Sequence, residues 1–213
     1  MIYSKFFKRL LDFTLSLIAL IILSPVYAVL ALLVRINLGS PIIFSQRRLG
    51  KGGKVFKIHK FRTMTNATDE DGNLLSDEER LTSFGRLLRS TSLDELPEIF
   101  DIFTGKLSIV GPRPLIEEYL PYFTEEESAR HKVRGGLIPP EVLYKNIQPT
   151  WDEQLKYEAD YANKVTFVTD LKILLATAGG LFSRNSVDYG SYVRPALSVE
   201  RAKEKEKETT GVR

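Results

Sequence analysis

The chain has 213 residues, of which 43% are hydrophobic, and carries a formal net charge of +3. This composition is typical of one modest folded domain beside an apolar N-terminal segment. Cysteine is absent and only His59 and His131 are histidines, which excludes disulfides and thiolate chemistry and disfavours a histidine-rich metal site or a Ser-His-Asp triad. Catalysis by this chain must therefore use carboxylates, lysines and arginines.

An uncharged run of 22 residues, Phe13 to Val34, is long enough to cross a bilayer, which takes roughly 20 apolar residues. Basic residues flank the run on both sides: Lys5, Lys8 and Arg9 before it, and Arg35, Arg47 and Arg48 after it. Because positive flanks favour the cytoplasmic side, both ends prefer the same side of the membrane. Pro25 removes a helix hydrogen bond in the middle of the run. The pattern favours a re-entrant helix that breaks at Ser24 and Pro25, and a kinked spanning helix stays open as the alternative.

Shorter patterns predict the elements that follow. Glycine-rich turns at 39–41 and 50–53 frame two alternating runs, 42–44 and 55–58, which predict a β-hairpin. Helical spacing extends over 77–132, with an interruption at Gly111-Pro112-Arg113-Pro114, and again over 151–184. Beyond Glu200 alternating lysines and glutamates predict a solvated tail or a frayed helix.

The stretch from Ser92 to Phe100 carries the most chemical content. Ser92 and Glu95 have the spacing of a capping box, and Pro97 is tolerated only in the first turn of a helix. Asp94 and Glu95 are therefore predicted at a helix N-terminus. Adjacent ionised carboxylates repel unless a cation lies beside them, and oxygen ligands suit Mg²⁺. Both interpretations stay open from this segment: simple helix capping, or a magnesium site with chemistry.

Several cations stand near this pair in the sequence. Arg89 precedes it, and Arg113 lies between two prolines, which hold its guanidinium on a stiff loop suited to bidentate phosphate binding. An ion pair with the protein's own acids is the alternative for Arg113. Lys60 and Arg62 share one face of a predicted strand, where they suit phosphate or anionic lipid headgroups. Together these residues indicate a phosphorylated substrate handled at a bilayer surface.

Six motifs stand in order along the chain: Lys8-Arg9…Asp12, Ser24-Pro25, Phe44-Ser45-Gln46, Lys60-Phe61-Arg62-Thr63-Met64, Leu93-Asp94-Glu95-Leu96-Pro97 and Val110-Gly111-Pro112-Arg113-Pro114. From about residue 5 to residue 185 the chain resembles the small bacterial monotopic phosphoglycosyl transferases. The resemblance implies a mixed α/β, mostly helical fold with a short β-hairpin and interfacial amphipathic helices. It implies three regions: a re-entrant membrane helix (1–36), a cytoplasmic catalytic domain (37–190) and a charged C-terminal tail (191–213).

The resemblance also implies an activity. Such enzymes transfer a sugar-1-phosphate from a UDP-sugar to undecaprenyl phosphate, release UMP and start glycan assembly at the cytoplasmic face of the bacterial inner membrane. Asp94 would be the nucleophile of a covalent phosphosugar intermediate, and Asp94 and Glu95 would bind Mg²⁺. The residues expected to bind substrate phosphate are Arg113, Arg89, Lys60 and Arg62. Expected partners include the bilayer and downstream glycosyltransferases, but no nucleic acid.

The chain departs from the family pattern at residues 135–146, where the family usually has Pro-Gly-Ile-Thr-Gly and then Gln-Val-Asn-Gly-Arg. The donor sugar therefore does not follow from the resemblance. A smaller departure is Glu158, where the family tends to have Asp. Residues 170–176 suit an interfacial helix, with a core-packing helix as the alternative. A non-catalytic protein that binds anionic lipid or serves as a scaffold for glycan assembly is the alternative function, although it would not need the Asp94-Glu95 pair.

Overall fold

The computed structural model describes residues 2–144, 149–182 and 194–210. The fold is mostly helical, as the resemblance implies, and contains two small sheets. The chain forms two compact units. The unit that carries the acidic pair, called the dyad unit below, comprises Leu10–Gln46 and Lys57–Leu107. The C-terminal unit comprises Met1–Arg9, Arg47–Phe56 and Ser108–Arg213.

Eight α-helices and four strands lie in the described residues. The helices are α1 (Lys8–Leu38), α2 (Asp77–Arg80), α3 (Ser83–Ser90), α4 (Glu98–Phe103), α5 (Glu125–Ser128), α6 (Trp151–Asn163), α7 (Phe167–Phe182) and α8 (Leu197–Thr210). The strands are β1 (Ile43–Leu49), β2 (Val55–Phe61), β3 (Ser108–Val110) and β4 (Gly136–Ile138). The pairing of β1 with β2 confirms the predicted hairpin. The parallel pair of β3 and β4 was not predicted; in it Ser108 lies opposite Gly136 and Val110 opposite Ile138.

Helix α1 and the turn before it form the apolar N-terminal helix. Over Tyr3–Leu38 this helix is long and apolar enough to cross a membrane, with a mean hydropathy of 2.8 in its most apolar window. The helix continues through Ser24 and Pro25, so the predicted break does not interrupt its helical structure. Pro25 leaves the Ile21 carbonyl without its usual donor, and the Ser24 hydroxyl donates to that carbonyl at 2.8 Å. The Ser24 hydroxyl therefore replaces the donor that Pro25 lacks.

Helix α1 supplies much of the core of the dyad unit. The buried side chains of this core are Leu30, Val34, Phe61 and Leu88. Closer to the N-terminus of α1, Phe13 stacks on Phe103 of α4 with ring centroids 5.0 Å apart. The Tyr27 hydroxyl donates to the Leu96 carbonyl. Both halves of the apolar helix therefore contact the unit that carries Asp94 and Glu95.

The C-terminal unit is built around α6 and α7. One apolar cluster consists of Leu115, Trp151, Leu155 and Leu197, and another of Val110, Tyr161 and Ile173. In α7 the Ile173 side chain is buried, whereas Phe167, Val168, Leu171 and Leu175 are exposed. Helix α7 thus packs through one face and leaves a second apolar face uncovered among the described residues.

The N-terminal residues of the C-terminal unit are tied to α7 through one carboxylate. Asp170 is buried and accepts hydrogen bonds at 2.6 Å from the hydroxyls of Tyr3 and Tyr161. The Lys8 ammonium forms an ion pair with the same carboxylate at 2.6 Å. These contacts fix the start of the apolar helix to α7.

Candidate active site

The acidic pair lies in a sharp turn between α3 and α4. Ser92 has a left-handed backbone conformation with φ of 56°, which is uncommon for a residue other than glycine. The next residues, Leu93–Glu95, form a single 3-10 turn, and α4 begins only at Glu98. The Ser92 side chain does not cap this turn. The capping-box interpretation was therefore wrong, and the pair lies one turn before the helix at whose start it was predicted.

The Asp94 carboxyl group is buried, with 7% of the residue exposed. Burial disfavours the ionised form and raises the pKa of Asp94 above its ordinary value. The charge of Lys60 opposes this increase, Glu95 adds to it, and Arg89 opposes it. A carboxylate that is both partly desolvated and surrounded by charge partners has the environment of a catalytic group.

Lys60 of β2 connects the acidic pair to α4. Its ammonium lies 2.6 Å from Glu95 Oε1 and 3.3 Å from Glu98 Oε1. Glu98 is only 3% exposed and was not recognised from the sequence. Its position three residues after Glu95 was a usable signal, because that spacing brings side chains to one helix face. Lys60 therefore pairs with two carboxylates beside Asp94.

A second contact between the same two elements fixes β2 against α4. Asp101 is fully buried and accepts a hydrogen bond from the backbone N–H of His59 at 2.9 Å. The His59 ring Nδ1 lies 2.8 Å from the same carboxylate. This contact holds the residue next to Lys60, so it also restricts where the Lys60 ammonium can lie.

The two remaining predicted cations of the dyad unit have different environments. Arg89 is exposed at the end of α3, and its Nε donates to Thr63 Oγ1 at 3.1 Å. Arg62 is instead buried and donates from Nη1 to the Ser40 carbonyl at 2.9 Å. Its geometry is that of a residue supporting the turn before β1, and its predicted role in phosphate binding stays a prediction.

The close approach of α3 to this region requires a glycine. A Cβ atom added to Gly85 would lie 1.9 Å from the Thr63 carbonyl oxygen. Any larger residue would move α3 away from Thr63 and with it Arg89. Gly85 therefore allows the contact that places Arg89 near Asp94.

The acidic pair fits one mode of magnesium binding and not another. The described residues contain no cluster of three metal-ligating side chains, so they provide no all-protein cage. Mg²⁺ often uses only one or two carboxylates, with water and substrate phosphates completing its shell. Asp94 and Glu95 suit that mode, although Glu95 already shares Lys60 with Glu98.

Arg113 lies in the C-terminal unit, on a loop whose backbone is fixed by buried charges. Arg113 is exposed between two buried prolines. Its N–H donates to Glu158 Oε1 at 3.0 Å, and its carbonyl accepts from Arg130 Nη2 at 2.5 Å. Glu158 and Arg130 form an ion pair at 2.7 Å with both side chains buried. Glu158, a small departure from the family pattern, thus holds the backbone of the predicted phosphate-binding loop.

Glu141 lies close to these charges, within the segment that departs from the family pattern. Burial, followed by the charge of Glu158, raises the pKa of Glu141 to about 7. Its Oε2 atom is buried without a hydrogen-bond partner among the described residues. The last residues of the departing segment, 145 and 146, lie outside the described residues.

The structure thus brings Asp94, Glu95, Lys60 and Arg89 together in the dyad unit. It places Arg62 in the same unit as a support, and Arg113 in the C-terminal unit. Sequence analysis missed Glu98, Asp101 and Arg130, whose importance depends on contacts between distant segments.

Comparison with known proteins identifies the family of this chain. The family described as bacterial sugar transferase matches residues 3–184. The chain is 39% identical to an uncharacterised sugar transferase, EpsL of Bacillus subtilis, over 87% of this chain and 92% of the relative. It is 35% identical to a UDP-glucose:undecaprenyl-phosphate glucose-1-phosphate transferase of Klebsiella pneumoniae, over 80% of this chain. It is 30% identical to an undecaprenyl-phosphate galactose phosphotransferase of Salmonella typhimurium, over 85%.

The chain therefore belongs to the bacterial sugar transferase family and is an enzyme of the phosphoglycosyl transferase class. The chain spans 92% of the length of EpsL. It spans only 39% of the Klebsiella relative and 42% of the Salmonella relative, whose names state a reaction. This membership favours an enzyme over the non-catalytic lipid-binding or scaffold alternative.

Proposed function

We propose that this protein transfers a sugar-1-phosphate from a UDP-sugar to undecaprenyl phosphate and releases UMP. The observation that carries the proposal is the buried Asp94 carboxyl group beside Lys60, Glu95 and Arg89. A reactive carboxylate among cations suits an exchange in which both substrates are phosphates. The names of the Klebsiella and Salmonella relatives support the same reaction.

The proposed reaction has two steps on one nucleophile. An Asp94 oxygen attacks the phosphorus that bears the sugar, a new P–O bond forms, and the bond to UMP breaks. An oxygen of undecaprenyl phosphate then attacks the same phosphorus, which releases Asp94 and leaves the sugar on a lipid diphosphate. Covalent catalysis divides a difficult exchange into two easier steps.

The cations of the site reduce the repulsion between the carboxylate and its substrates. Lys60 forms ion pairs with Glu95 and Glu98, and Arg89 is exposed near Asp94. Mg²⁺, held by Asp94 and Glu95, would supply further charge stabilisation to the phosphate oxygens. The assignment of Arg113 to substrate phosphate comes from its Gly-Pro-Arg-Pro motif and from the exposure of its side chain.

The proposed location is the cytoplasmic face of the bacterial inner membrane, with residues 1–36 as a re-entrant helix. Phe13 and Tyr27 both contact the dyad unit, whereas Ile21 and Ile22 near the Ser24-Pro25 pair are 66% and 68% exposed. The exposed apolar side chains along α1 suit contact with lipid, and the basic residues on both flanks of the apolar run support a course in which both ends of the helix stay near one surface of the bilayer. The uncovered apolar face of α7 suits a helix in the same interface.

The donor sugar is the open part of the reaction, since the relatives named above differ in it. The test is to incubate the purified protein with Mg²⁺, undecaprenyl phosphate and each UDP-sugar of a broad panel, and to measure UMP. We expect UMP and a lipid-linked sugar with at least one donor. When undecaprenyl diphosphate replaces the monophosphate, we expect no lipid-linked sugar and no more than one equivalent of UMP per protein. If no donor yields UMP, the proposed reaction is wrong.

A further inference from the structure

We propose that Arg194 is a positioning residue that fixes the Arg113 loop through a buried relay of hydrogen bonds. The relay is a property of the C-terminal unit alone, whereas its consequence for substrate binding rests on the proposed function. Arg194 lies ten residues beyond the end of the matched family region at residue 184. The loop that carries a predicted substrate-binding residue therefore depends on a segment outside that region.

The relay consists of three hydrogen bonds in sequence. Arg194 Nη2 donates to Gln154 Oε1 at 2.6 Å. Gln154 Nε2 donates to Glu158 Oε1 at 3.1 Å, and this oxygen also accepts the Arg113 N–H at 3.0 Å. Gln154 and Glu158 are buried, with 5% and 0% of each residue exposed.

The two partners of Gln154 determine which way its amide points. A guanidinium can only donate and an ionised carboxylate can only accept, so the amide oxygen must face Arg194 and the amide nitrogen must face Glu158. Without Arg194 the buried amide oxygen loses its donor, and an unpaired buried acceptor is unfavourable. The Gln154 side chain would then be held from one side only, and its hydrogen bond to Glu158 would weaken.

Arg194 is itself held in place from several directions. Its guanidinium lies 3.5 Å from the centroid of the Trp151 ring, and its Nη1 donates to the Pro149 carbonyl at 2.9 Å. The indole N–H of Trp151 donates to the Pro195 carbonyl at 2.9 Å. These contacts hold the guanidinium in place independently of its hydrogen bond to Gln154, as a positioning residue requires.

Apolar packing supports the same loop from the same segment. Leu197, in the first turn of α8, is fully buried in a cluster with Leu115 and Trp151. Leu115 follows Arg113 by two residues. The start of the predicted charged tail is therefore a packed part of the C-terminal unit, and it contacts the Arg113 loop both through this cluster and through the relay.

Hydrogen exchange measures the relay directly, without reference to catalysis. Pro112 and Pro114 have no amide hydrogen, so Arg113 carries the one exchangeable amide between Gly111 and Leu115. In the full-length protein, Arg194→Ala should accelerate exchange of this amide roughly 5-fold or more, the size of a modest coupling between neighbouring residues. Arg194→Lys, which keeps a donor for Gln154, should show a smaller acceleration.

Arg201→Ala is the matched control. Arg201 lies in α8 and pairs with Glu127 at 2.5 Å and with Asp152 at 2.8 Å, but it is not part of the relay. Its loss should leave exchange at Arg113 unchanged. Equal acceleration in both variants, or none in Arg194→Ala, would overturn the relay.

Kinetics separate a positioning role from a general loss of structure. Arg194→Ala should raise KM for the UDP-sugar roughly 5-fold and leave kcat nearly unchanged. The same substitution in an Arg113→Ala background should raise KM no further, because the two residues act as a unit. An equal increase in both backgrounds would contradict action through Arg113. If the wild-type protein released no UMP at all, the proposed function would fail, while the exchange experiment would still decide the relay.

Discussion

The two units prepare a charged residue for chemistry in opposite ways. In the dyad unit the proposed nucleophile, Asp94, is itself buried, and its pKa responds to Lys60, Glu95 and Arg89 around it. In the C-terminal unit the side chain proposed to bind phosphate, Arg113, is exposed, and buried charges hold its backbone instead. The reactivity of a nucleophilic carboxylate depends on how its surroundings set its pKa. A phosphate-binding arginine requires mainly that its backbone be held in a fixed position.

The difference predicts different consequences of mutation. Changes around Asp94 should alter rate and pH dependence with little effect on folding. Changes to the buried residues that hold the Arg113 loop should mainly lower stability. They should alter substrate binding only through the position of the loop. Substitutions in both units test this division.

Asp94→Asn should lower UMP release by a factor on the order of 10³ or more, because an amide cannot form the covalent intermediate. The thermal unfolding midpoint in detergent should change little, since the two side chains are nearly equal in size. The check is a UMP assay beside a melting curve. Activity within tenfold of wild type would show that Asp94 is not the nucleophile.

Glu158→Gln should destabilise the protein by about 3 to 5 kcal/mol, because it leaves the buried Arg130 guanidinium without its counter-charge. Thermal or denaturant unfolding measures this loss. Glu118→Gln, at an exposed position, is the control and should have almost no effect. Similar midpoints for the two variants would mean that the ion pair does not support the loop.

Lys60→Gln should lower activity about 100-fold at neutral pH. Lys60 favours the ionised form of Asp94, so its removal raises the pKa of Asp94 further. If the ionised form of Asp94 is the nucleophile, as proposed, the acid limb of the kcat/KM profile should move to higher pH. Lys57→Gln, at an exposed position on the same strand, should leave the profile in place. A Lys60→Gln profile that drops uniformly without moving would contradict the electrostatic role of Lys60.

Glu141→Gln should stabilise the protein at alkaline pH. Burial raises the pKa of this carboxyl from 4.5 to about 7 in the folded state, so the folded state binds more protons than the unfolded state between these values. Stability is therefore lost as pH rises toward and through 7, and the neutral amide avoids that loss. We expect a gain on the order of 1 to 3 kcal/mol at pH 8 and almost none at pH 4.5. Melting curves of the variant and the wild type at the two pH values test this expectation. The same difference in stability at both pH values would contradict it.

Local patterns in the sequence predicted much of the dyad unit. Alternation between glycine-rich turns gave the hairpin, and the apolar run gave α1. Paired carboxylates and nearby cations in the sequence predicted a group of charged residues that the structure brings together around Asp94. The Ser92-Glu95 spacing was misleading, because the left-handed Ser92 backbone turns the chain before any cap can form.

The C-terminal unit was harder to predict because its important contacts join distant segments. Strands of three residues, such as β3 and β4, are too short to show periodicity, and their pairing depends on the close approach of Gly136 to Gly111. Arg194 and Gln154 are 40 residues apart in the chain. No local sequence pattern predicts a contact between residues so far apart. The alternating charges of the tail predict exposure to solvent and give no indication that Leu197 is buried.

The measurement that tests the central claim most directly is a single-turnover experiment without the lipid acceptor. The purified protein is mixed with the UDP-sugar that it uses and Mg²⁺, UMP is quantified, and the protein is examined by mass spectrometry. We expect at most one equivalent of UMP per protein and a sugar-phosphate adduct on the peptide that contains Asp94. UMP that appears only when undecaprenyl phosphate is added, with no adduct at any time, would contradict it.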